Sequence, residues 1–395
     1  MAAPIGGYVH WRYCPSKCGY CDFNAYLLPR RPHAYADYTA SLLQEISLAE
    51  RTGDLSGPLQ SCAFGGGTPT MFPAEQLVQV LSALRQAGLT PGAEVTVEAN
   101  PGDLQMAALS QLSGAGVGRL SIGAQTFSDP LLKAIGRLHQ ASDIDRAVQM
   151  AQRAGIRRVN LDLMYGLPGQ THQDLAQALQ RALDLGVGHI SAYALELEPA
   201  TVFGRRAARG ELALPSEQSV IEMGDLVEET LTAAGLNRYE VSNYARSGEE
   251  SQHNLAVWRR GRYRGFGAGA HSFIGERRWW NVASPLLYSR RLAAGEGVVA
   301  GEEDVSALAM GEWVYLSLRT LVIDTERFGQ EFGQPWQDVF SASTLWAVTE
   351  GWLKWQGPCL VVAKERRWLL NQIAERFLEE GALSQRRLTP CADAG

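Results

Sequence analysis

The chain has 395 residues, of which 46% are hydrophobic, and it carries a formal net charge of -6 at pH 7. This length accommodates one large folded region and a smaller one, each with its own core. The acidic balance gives no general electrostatic footprint for nucleic acid, so no nucleic-acid partner is expected, and no apolar stretch approaches the length of a transmembrane helix. The first residues lack the charged and apolar regions of a secretion signal, so we expect a cytoplasmic protein.

Short apolar runs alternate with helical patterns through the first half of the chain. We predict strands at residues 8–11, 62–64, 95–97, 120–122, 159–162 and 190–193, and helices at residues 35–51, 74–87, 143–154 and 172–185. This alternation is typical of βα units, and six right-handed βα crossovers curve into a partly open parallel barrel, a partial (β/α)6 barrel. The chemistry of such barrels lies at the carboxyl ends of the strands, where the motifs described below fall.

The pattern changes after about residue 205. Longer helical patterns follow at residues 219–234, 308–318 and 368–380, with short strands and a stretch rich in tryptophan and arginine between them. We therefore divide the chain into a barrel core at residues 1–205 and a smaller α+β region at residues 206–395. No low-complexity linker separates the two regions, so we expect them to pack together. The predicted fold class is α/β.

Three cysteines follow the first predicted strand with the spacing Cys-x3-Cys-x2-Cys. Cys14, Cys18 and Cys21 supply three thiolates, and a [4Fe-4S] cluster takes one thiolate per iron, so its fourth iron stays open for a ligand that is not protein. Two alternatives remain, namely a zinc site completed by His10 or His33 and three unrelated thiols. The other cysteines are interpreted as structural thiols; they are Cys62, Cys359 and Cys391.

Glycines and polar residues stand at the ends of the next predicted strands. The Gly-Gly-Gly-Thr-Pro segment at residues 65–69 lets the backbone approach a ligand closely, although an ordinary βα turn has the same composition. Glu98, Gln125 and Asp162 end later strands; a carboxylate there suits a ribose hydroxyl or an ammonium group, and an amide both donates and accepts. Arg137 suits a ligand carboxylate. Each of these side chains alone is equally typical of a helix cap or a turn.

Motifs spread along most of the chain resemble a single family. They lie at residues 8–14, 18–23, 65–69, 98–101, 123–125, 136–139, 162–168, 239–243, 253–254 and 265–271. On these segments the chain is identified as a member of the radical S-adenosylmethionine (SAM) family of oxygen-independent coproporphyrinogen III oxidase and its relative, the heme chaperone HemW. The resemblance implies a radical SAM barrel, in which SAM fills the open iron position and the reduced cluster cleaves it to a 5′-deoxyadenosyl radical.

The resemblance also assigns residues to the cofactors. It implies that Cys14, Cys18 and Cys21 hold the [4Fe-4S] cluster. It implies that the SAM site is lined by Tyr8, Tyr20, Gly66, Gly67, Thr68, Glu98, Gln125, Arg137 and Asp162. The glycine segment is expected to meet the amino group of SAM through backbone carbonyls.

Two departures separate the chain from the oxidase branch of this family. Phe23 stands two residues after the third cluster cysteine, where the oxidases typically have a fourth cysteine, and Cys14 comes too early to leave room for their N-terminal extension. The resemblance therefore favours the HemW branch, which binds heme and delivers it to apoproteins such as respiratory cytochromes, and it implies a protein without oxidase activity. The alternative is an oxidase that removes carbon dioxide from the propionate side chains of coproporphyrinogen III by radical chemistry. Radical modification of RNA is disfavoured by the acidic balance.

The second region contains a motif that the resemblance links to heme. The HemW branch carries His-Asn-x-x-Tyr-Trp, and residues 253–258 match it except that Val257 replaces the tyrosine. Histidine is a usual axial ligand of heme iron, so His253 is predicted to contact heme, although a hydrogen-bonded structural histidine is the alternative. Other candidate ligands are His10, His139 and His271. The nearby arginines either pair with heme propionates or form a solvated basic face; they are Arg259, Arg260, Arg262 and Arg264.

The predicted partners are heme and the apoproteins that accept it, and the region at residues 206–395 is expected to bind them. The sequence leaves open whether the chain forms a homodimer, whether it contacts a membrane peripherally, and whether SAM cleavage serves its physiological task. The tryptophans of this region are interpreted as core residues, and an apolar surface for a macrocycle or a partner is the alternative; they are Trp279, Trp280, Trp346, Trp352 and Trp355.

Overall fold

The structure is a computed structural model that describes residues 3–23, 25–27, 33–55 and 57–388, with side chains described as far as residue 382. The structural thiol predicted at Cys391 lies outside these residues. In the described part of the chain no helix is long and apolar enough to cross a membrane.

The first half of the chain forms the strands of a partly open barrel. The strands are β1 (Ile5–Trp11), β2 (Tyr13–Cys14), β3 (Tyr26–Leu27), β4 (Leu59–Gly66), β5 (Leu89–Ala99), β6 (Arg119–Gln125), β7 (Arg158–Tyr165) and β8 (His189–Ala194). Strands β1, β4, β5, β6, β7 and β8 pair in that order and all are parallel, while β2 and β3 form a separate short ribbon. Each predicted strand lies within one of these six, so the predicted α/β partial barrel is confirmed.

Helices alternate with these strands, and most of their buried side chains belong to the main core on the outer face of the sheet. They are α1 (Ala34–Thr52), α2 (Ala74–Gln86), α3 (Met106–Gly114), α4 (Asp129–Ala134), α5 (Ala141–Arg153), α6 (His172–Asp184), α7 (Val202–Ala208) and α8 (Glu217–Ala233). The predicted helices match α1, α2, α5, α6 and α8 to within two residues. The sequence analysis missed α3, α4 and α7, which have at most nine residues and so show too few turns for a clear 3.6-residue period.

Residues after 205 extend the same sheet at both edges. The elements are β9 (Asn237–Arg238), β10 (Asn243–Ala245), α9 (Gln252–Trp258), β11 (Arg262–Phe266), β12 (His271–Ile274), β13 (Arg277–Asn281), α10 (Pro285–Ala293) and β14 (Val299–Asp304). Strand β11 pairs in parallel with β1, and β10 pairs antiparallel with β8. In the described part of the chain the sheet therefore has twelve strands, from β14 at one edge to β9 at the other. The division at residue 205 stays a prediction.

A buried carboxylate fastens the added strands to helix α1. Glu45 accepts hydrogen bonds from Arg264 (3.1 Å), Asn281 (2.8 Å) and Tyr288 (2.7 Å), and from the backbone of Gly267 (2.7 Å). A buried charge is tolerated only when it is paired and hydrogen-bonded, and this one is both. The solvated basic face that was one interpretation of the arginine run is thus wrong for Arg264, whose side chain is buried in this ion pair.

The last part of the chain forms a second core. Its elements are α11 (Ala309–Arg319), β15 (Val322–Asp324), α12 (Thr325–Phe332), α13 (Trp336–Thr349), β16 (Leu353–Gln356), β17 (Cys359–Val362) and α14 (Leu370–Leu388). Strands β15, β17 and β16 form a small antiparallel sheet. The helices bury an aromatic cluster that consists of Trp313, Phe328, Trp336, Phe340 and Phe377.

The tryptophans expected in cores divide between buried and surface positions. Trp279 is buried, and Trp346 stacks on Trp352 with ring centroids 5.4 Å apart at the edge of the second core. Trp280 is half-buried beside His271. Trp355 is 45% exposed on the β16–β17 hairpin, so the core interpretation is wrong for this residue.

Candidate functional site

One cavity of about 840 Å³ runs through the barrel. It begins at the loop that carries the three cysteines and reaches His253, so the carboxyl end of the barrel and its opposite end share one space. Of the predicted site residues, the cavity is lined by Cys14, Cys18, Cys21, Tyr20, Gly66, Gly67, Thr68, Glu98, Gln125, Arg137, Asp162 and His253. The structure therefore brings together twelve of the thirteen predicted residues, and Tyr8 is the exception.

The cysteine loop lies at the open end of the cavity. Its three thiols are free and half-buried. Thr68 donates a hydrogen bond to Cys14 Sγ (3.6 Å), and Arg137 donates one to Cys18 Sγ (3.7 Å). Burial raises the pKa of Cys14 and of Cys21, and the charge of Cys18 raises both further. Thiolates here therefore need compensation by cations or by metal, which is the donor chemistry of an iron–sulfur cluster.

A zinc site would require a different arrangement of the same three thiols. A single ion needs its ligands gathered about one point, and no group of three or more His, Cys, Asp or Glu side chains is so placed in the described part of the chain. A four-iron cube instead spreads one thiolate over each of three irons. His10 is hydrogen-bonded to the hydroxyl of Tyr8 (2.9 Å), and His33 is exposed at the start of α1.

The glycine segment begins with the last two residues of β4 and continues to Thr68, which contacts the cysteine loop at Cys14. Gly66 has φ of +99°, and a Cβ at this residue would lie 2.3 Å from the ring of His10. A Cβ at Gly67 would lie 2.5 Å from the carbonyl oxygens of Trp11 and Tyr13. Both positions therefore require glycine, and the resulting close approach brings backbone polar groups to the cavity surface.

Two carboxylates face each other across the middle of the cavity. Burial raises the pKa of Glu98 to about 7, and the charge of Asp162 adds to the rise, while a hydrogen bond from Gly66 N (3.1 Å) opposes it. Although Glu98 lies deep in the barrel, its side chain is open to the cavity. Burial also raises the pKa of Asp162, against hydrogen bonds from Asn160 (2.7 Å) and Ser121 (3.2 Å). The pair suits a ligand that brings positive charge or hydroxyl groups.

Arg137 is held in place by groups that the sequence analysis did not assign. Its guanidinium donates to Asn100 Oδ1 (2.7 Å) and to the carbonyl of Gly123 (2.7 Å). Asn100 also donates to Thr68 Oγ1 (3.0 Å), so one amide connects two predicted site residues. Gln125 has φ of +65°, a left-handed conformation that costs a non-glycine residue free energy and is concentrated at functional sites.

Tyr8 does not reach the cavity in this structure. Its hydroxyl bonds His10, whose ring lies against Gly66, so any effect of Tyr8 on the site passes through that histidine. Burial lowers the pKa of His10 to about 3. The imidazole is therefore neutral at pH 7.

His253 lies at the floor of the cavity, on the short helix α9. Glu94 accepts hydrogen bonds from the backbone of His253 (3.0 Å) and of Gln252 (3.2 Å), which fixes the start of this helix against β5. Ser61 bonds His253 Nδ1 (2.9 Å), and Nε2 has no hydrogen bond to any described residue. Burial lowers the pKa of His253 to about 4. The ring is thus oriented, neutral at pH 7 and open on one side.

Several cavity residues were missed by the sequence analysis. Thr96, Arg119, Ser121, Asn160, Ser191 and Tyr193 all line the cavity. The signal was present as a period of two, since Asn160 and Asp162 alternate with Val159, Leu161 and Leu163 along β7. Polar residues at every second position of a buried strand indicate a wet inner face.

Apolar side chains rim the mouth of the cavity. Phe23 is 63% exposed and Leu138 is 72% exposed, and both line the opening. Trp368 contributes a ring from the second core region. Exposed apolar groups beside a cavity are typical of a binding mouth for a ligand with an apolar body.

Comparison with known proteins supplies relatives for both the fold and the sequence. The Radical SAM superfamily model matches residues 8–182. The heme chaperone HemW of Bacillus subtilis (strain 168) is 36% identical over 385 residues, which cover 94% of this chain and 99% of that protein. The HemW of Escherichia coli (strain K12) is 38% identical over 69% of this chain and 70% of its own length. The Escherichia coli coproporphyrinogen III oxidase HemN, described as a radical SAM enzyme, has a similar fold, with a TM-score of 0.82 and 24% identity over 95% of this chain and 90% of that one.

Proposed function

We propose a function from the premise that the chain belongs to the HemW family within the radical SAM superfamily. In this proposal the protein is a cytoplasmic heme chaperone that binds heme together with a [4Fe-4S] cluster and SAM. It delivers the heme to apoproteins such as respiratory cytochromes. The observation that carries the proposal is the single cavity lined both by the three thiols and by His253.

The upper part of the cavity fits the cluster and SAM. Cys14, Cys18 and Cys21 would hold the cluster, which when reduced supplies one electron to bound SAM. Arg137, already fixed by Asn100, would bind the carboxylate of SAM through a charge-assisted pair. The glycine segment keeps side chains out of the space beside the thiols.

The carboxylates of the cavity would complete the SAM site. An ionised Glu98 would bind the ammonium group, and Asp162 would accept from ribose hydroxyls. The raised pKa of Glu98, about 7, supports this role because an arriving cation favours the ionised form. Binding of SAM would therefore release a proton from part of the protein population near pH 7.

The floor of the cavity fits a heme ligand. Only a neutral imidazole binds iron, and the pKa of His253, about 4, keeps the ring neutral at pH 7. Ser61 on Nδ1 fixes the ring orientation, as partners of metal-bound histidines usually do. The replacement of tyrosine by Val257 removes a polar ring from the motif, but it leaves the histidine and its partner in place.

Phe23 supports the chaperone over the oxidase. The position two residues after the third cluster cysteine holds an exposed aromatic ring at the cavity mouth. Such a ring gives an apolar contact for a macrocycle and no fourth thiol. We therefore infer that the chain lacks oxidase activity.

A heme titration tests the chaperone proposal. The cluster-reconstituted protein and its His253→Ala variant are titrated with heme, and the Soret band and the dissociation constant are compared. The variant should bind heme at least about tenfold more weakly and should show an altered Soret band, because an axial ligand is lost. His172→Ala, a change at an exposed histidine, is the matched control and should leave both unchanged. An unaltered spectrum and affinity for His253→Ala would remove this residue from the proposal.

An anaerobic turnover separates the chaperone from the oxidase. The reconstituted protein is mixed with SAM, a low-potential reductant and coproporphyrinogen III, and protoporphyrinogen and 5′-deoxyadenosine are quantified together. We expect no protoporphyrinogen. Its formation in step with 5′-deoxyadenosine, and its loss in the Cys14→Ala variant, would establish the oxidase and overturn the proposal.

A further inference from the structure

Arg119 is a buried cation that faces the cavity. It is the first residue of β6, it is 5% exposed, and it lines the cavity wall. In the part of the chain that the structure describes, its guanidinium has neither a hydrogen bond nor an ion pair. A buried arginine without a partner is costly and therefore rare.

Two other arginines of the same sheet, one buried and one half-buried, are paired. Arg264 bonds Glu45 (3.1 Å), and Arg158, the neighbour of Arg119 in the pairing of β6 with β7, bonds Glu94 (2.8 Å). Glu94 is thereby already committed to Arg158 and to the start of helix α9. No carboxylate near the cavity floor is left to pair with Arg119 at short range among the described residues.

A second polar group beside Arg119 also lacks a partner. Thr96 lies directly opposite Arg119 in the pairing of β5 with β6, and its hydroxyl is buried with no hydrogen bond. Thr96 lines the same part of the cavity, next to the small side chain of Ala63 on β4. Two residues that line the cavity on neighbouring strands thus each carry a polar group without a partner, which indicates a bound group rather than a packing role.

The charges around this space limit what it can hold. The charge of Arg119 lowers the pKa of both Glu98 and Asp162, so these carboxylates lie within its electrostatic reach. A dianion such as phosphate would meet two negative groups with one nearby cation. A single carboxylate matches the planar fork of arginine bidentately and adds only one negative charge.

We propose that the floor of the cavity is a second anion subsite, in which the Arg119 guanidinium and the Thr96 hydroxyl bind one carboxylate of a ligand. It is separate from the site at Arg137, whose guanidinium is already bonded to Asn100, Gly123 and Cys18. We assign the carboxylate to a propionate of a porphyrin, an assignment that rests on the proposed function. The carboxylate of SAM, which the proposed function gives to Arg137, is the other source that the test separates.

Matched ligand pairs distinguish these two sources. Heme is compared with its dimethyl ester in the same detergent, and SAM is compared with its decarboxylated analogue. Dissociation constants are measured for the cluster-reconstituted wild-type protein and for Arg119→Gln. If a porphyrin propionate binds Arg119, the variant should lose at least about 30-fold in heme affinity, whereas affinity for the ester should hardly change. If Arg119→Gln instead weakens the binding of SAM but not that of decarboxylated SAM, the carboxylate belongs to SAM.

Arg137→Gln is the matched control for position. It should weaken SAM relative to decarboxylated SAM and leave the heme pair unchanged. Thr96→Val keeps the side-chain shape, so it tests the subsite independently if Arg119→Gln fails to fold. It should weaken the same carboxylate ligand several-fold. If the wild-type protein binds heme but neither ligand pair shows a dependence on the carboxylate, the subsite proposal is overturned and the chaperone proposal stands. If the wild-type protein fails to bind heme, the chaperone proposal is overturned, and the comparison of SAM with decarboxylated SAM decides the subsite.

Discussion

The barrel places its apolar side chains on the outer face of the sheet, against the helices, whereas residues 310–377 bury theirs in one closed aromatic cluster. Along β7 the apolar Val159, Leu161 and Leu163 face the main core, and the alternating Asn160 and Asp162 line the cavity. In the second core, aromatic rings pack on all sides of Phe340. The inner face of strands such as β7 is thus free for ligands, whereas the aromatic cluster of the second core is filled by its own side chains.

This difference separates stability from binding. A polar inner face contributes little hydrophobic free energy, so the barrel depends on its outer face and on the fastening of α1 by Glu45. The second core depends on close packing, where lost volume is strongly felt. Substitutions in the two regions should therefore change different measurements, stability in the second core and ligand affinity in the barrel.

The largest effect is expected from Phe340→Ala. This ring is fully buried between Phe328, Trp336 and Phe377, and truncation of a buried phenylalanine costs about 3–5 kcal/mol of the free energy of unfolding. Tyr193→Ala is the matched aromatic control, because that ring faces the cavity and is 40% exposed. Chemical denaturation should show a much smaller loss for the control. Equal losses would mean that the inner face of the barrel is as tightly packed as the second core.

The barrel was predictable from local sequence, and the cavity floor was not. The six strands show strong apolar runs, and the cysteine and glycine motifs are contiguous, so both their existence and their end of the barrel followed from the pattern. His253 is held at the cavity floor by contacts of its backbone with Glu94 and of its ring with Ser61. These partners lie 159 and 192 residues away in the sequence. No local pattern encodes such distances.

The burial of two charged residues could not be predicted from the sequence. Glu45 is one of three acidic residues of α1, and only the added strands show it as a buried anchor. Arg119 stands just before the predicted strand at residues 120–122, and only its pairing with Thr96 and its place on the cavity wall show it inside the barrel. Burial of a charge depends on which distant elements cover it, which the sequence does not state.

The next largest effect concerns the partner of the proposed heme ligand. Ser61→Ala removes the hydrogen bond to His253 Nδ1, and loss of such a partner typically weakens metal binding about 10- to 100-fold. A heme titration measures this change. Ser41→Ala is the control, since Ser41 bonds Ser289 on the outer side of the barrel, and its heme affinity should match the wild type. A Ser61→Ala protein that binds heme normally would show that the floor histidine does not hold the iron.

A smaller effect is expected from titration of Glu98. With a pKa of about 7, this carboxyl is mostly protonated at pH 6 and mostly ionised at pH 8, so SAM affinity should rise by up to about tenfold across that range. In the ligand-free protein, pH has the opposite effect on the free energy of unfolding. A raised folded-state pKa means that the folded protein holds more protons than the unfolded chain, so stability falls as pH rises from the ordinary value of 4.5 toward 7.

The Glu98→Gln variant isolates this titration. Its SAM affinity, measured by calorimetry, should be low and independent of pH, and the ligand-free variant should lose less stability than the wild type between pH 5 and pH 8. A SAM affinity that is flat with pH in the wild type would show that the carboxyl does not meet the ammonium group.

The smallest effect is expected from Trp355→Ala on the β16–β17 hairpin. Trp355 is 45% exposed and takes no part in the stack of Trp346 on Trp352, so its removal should change the free energy of unfolding by no more than about 0.5 kcal/mol. Heme affinity should be unchanged, because no atom of this hairpin lines the cavity. Denaturation and heme titration on the same sample test both statements. A loss of heme affinity with stability intact would place a binding surface on the β16–β17 hairpin, and the separation between a binding barrel and a packed second core would then fail.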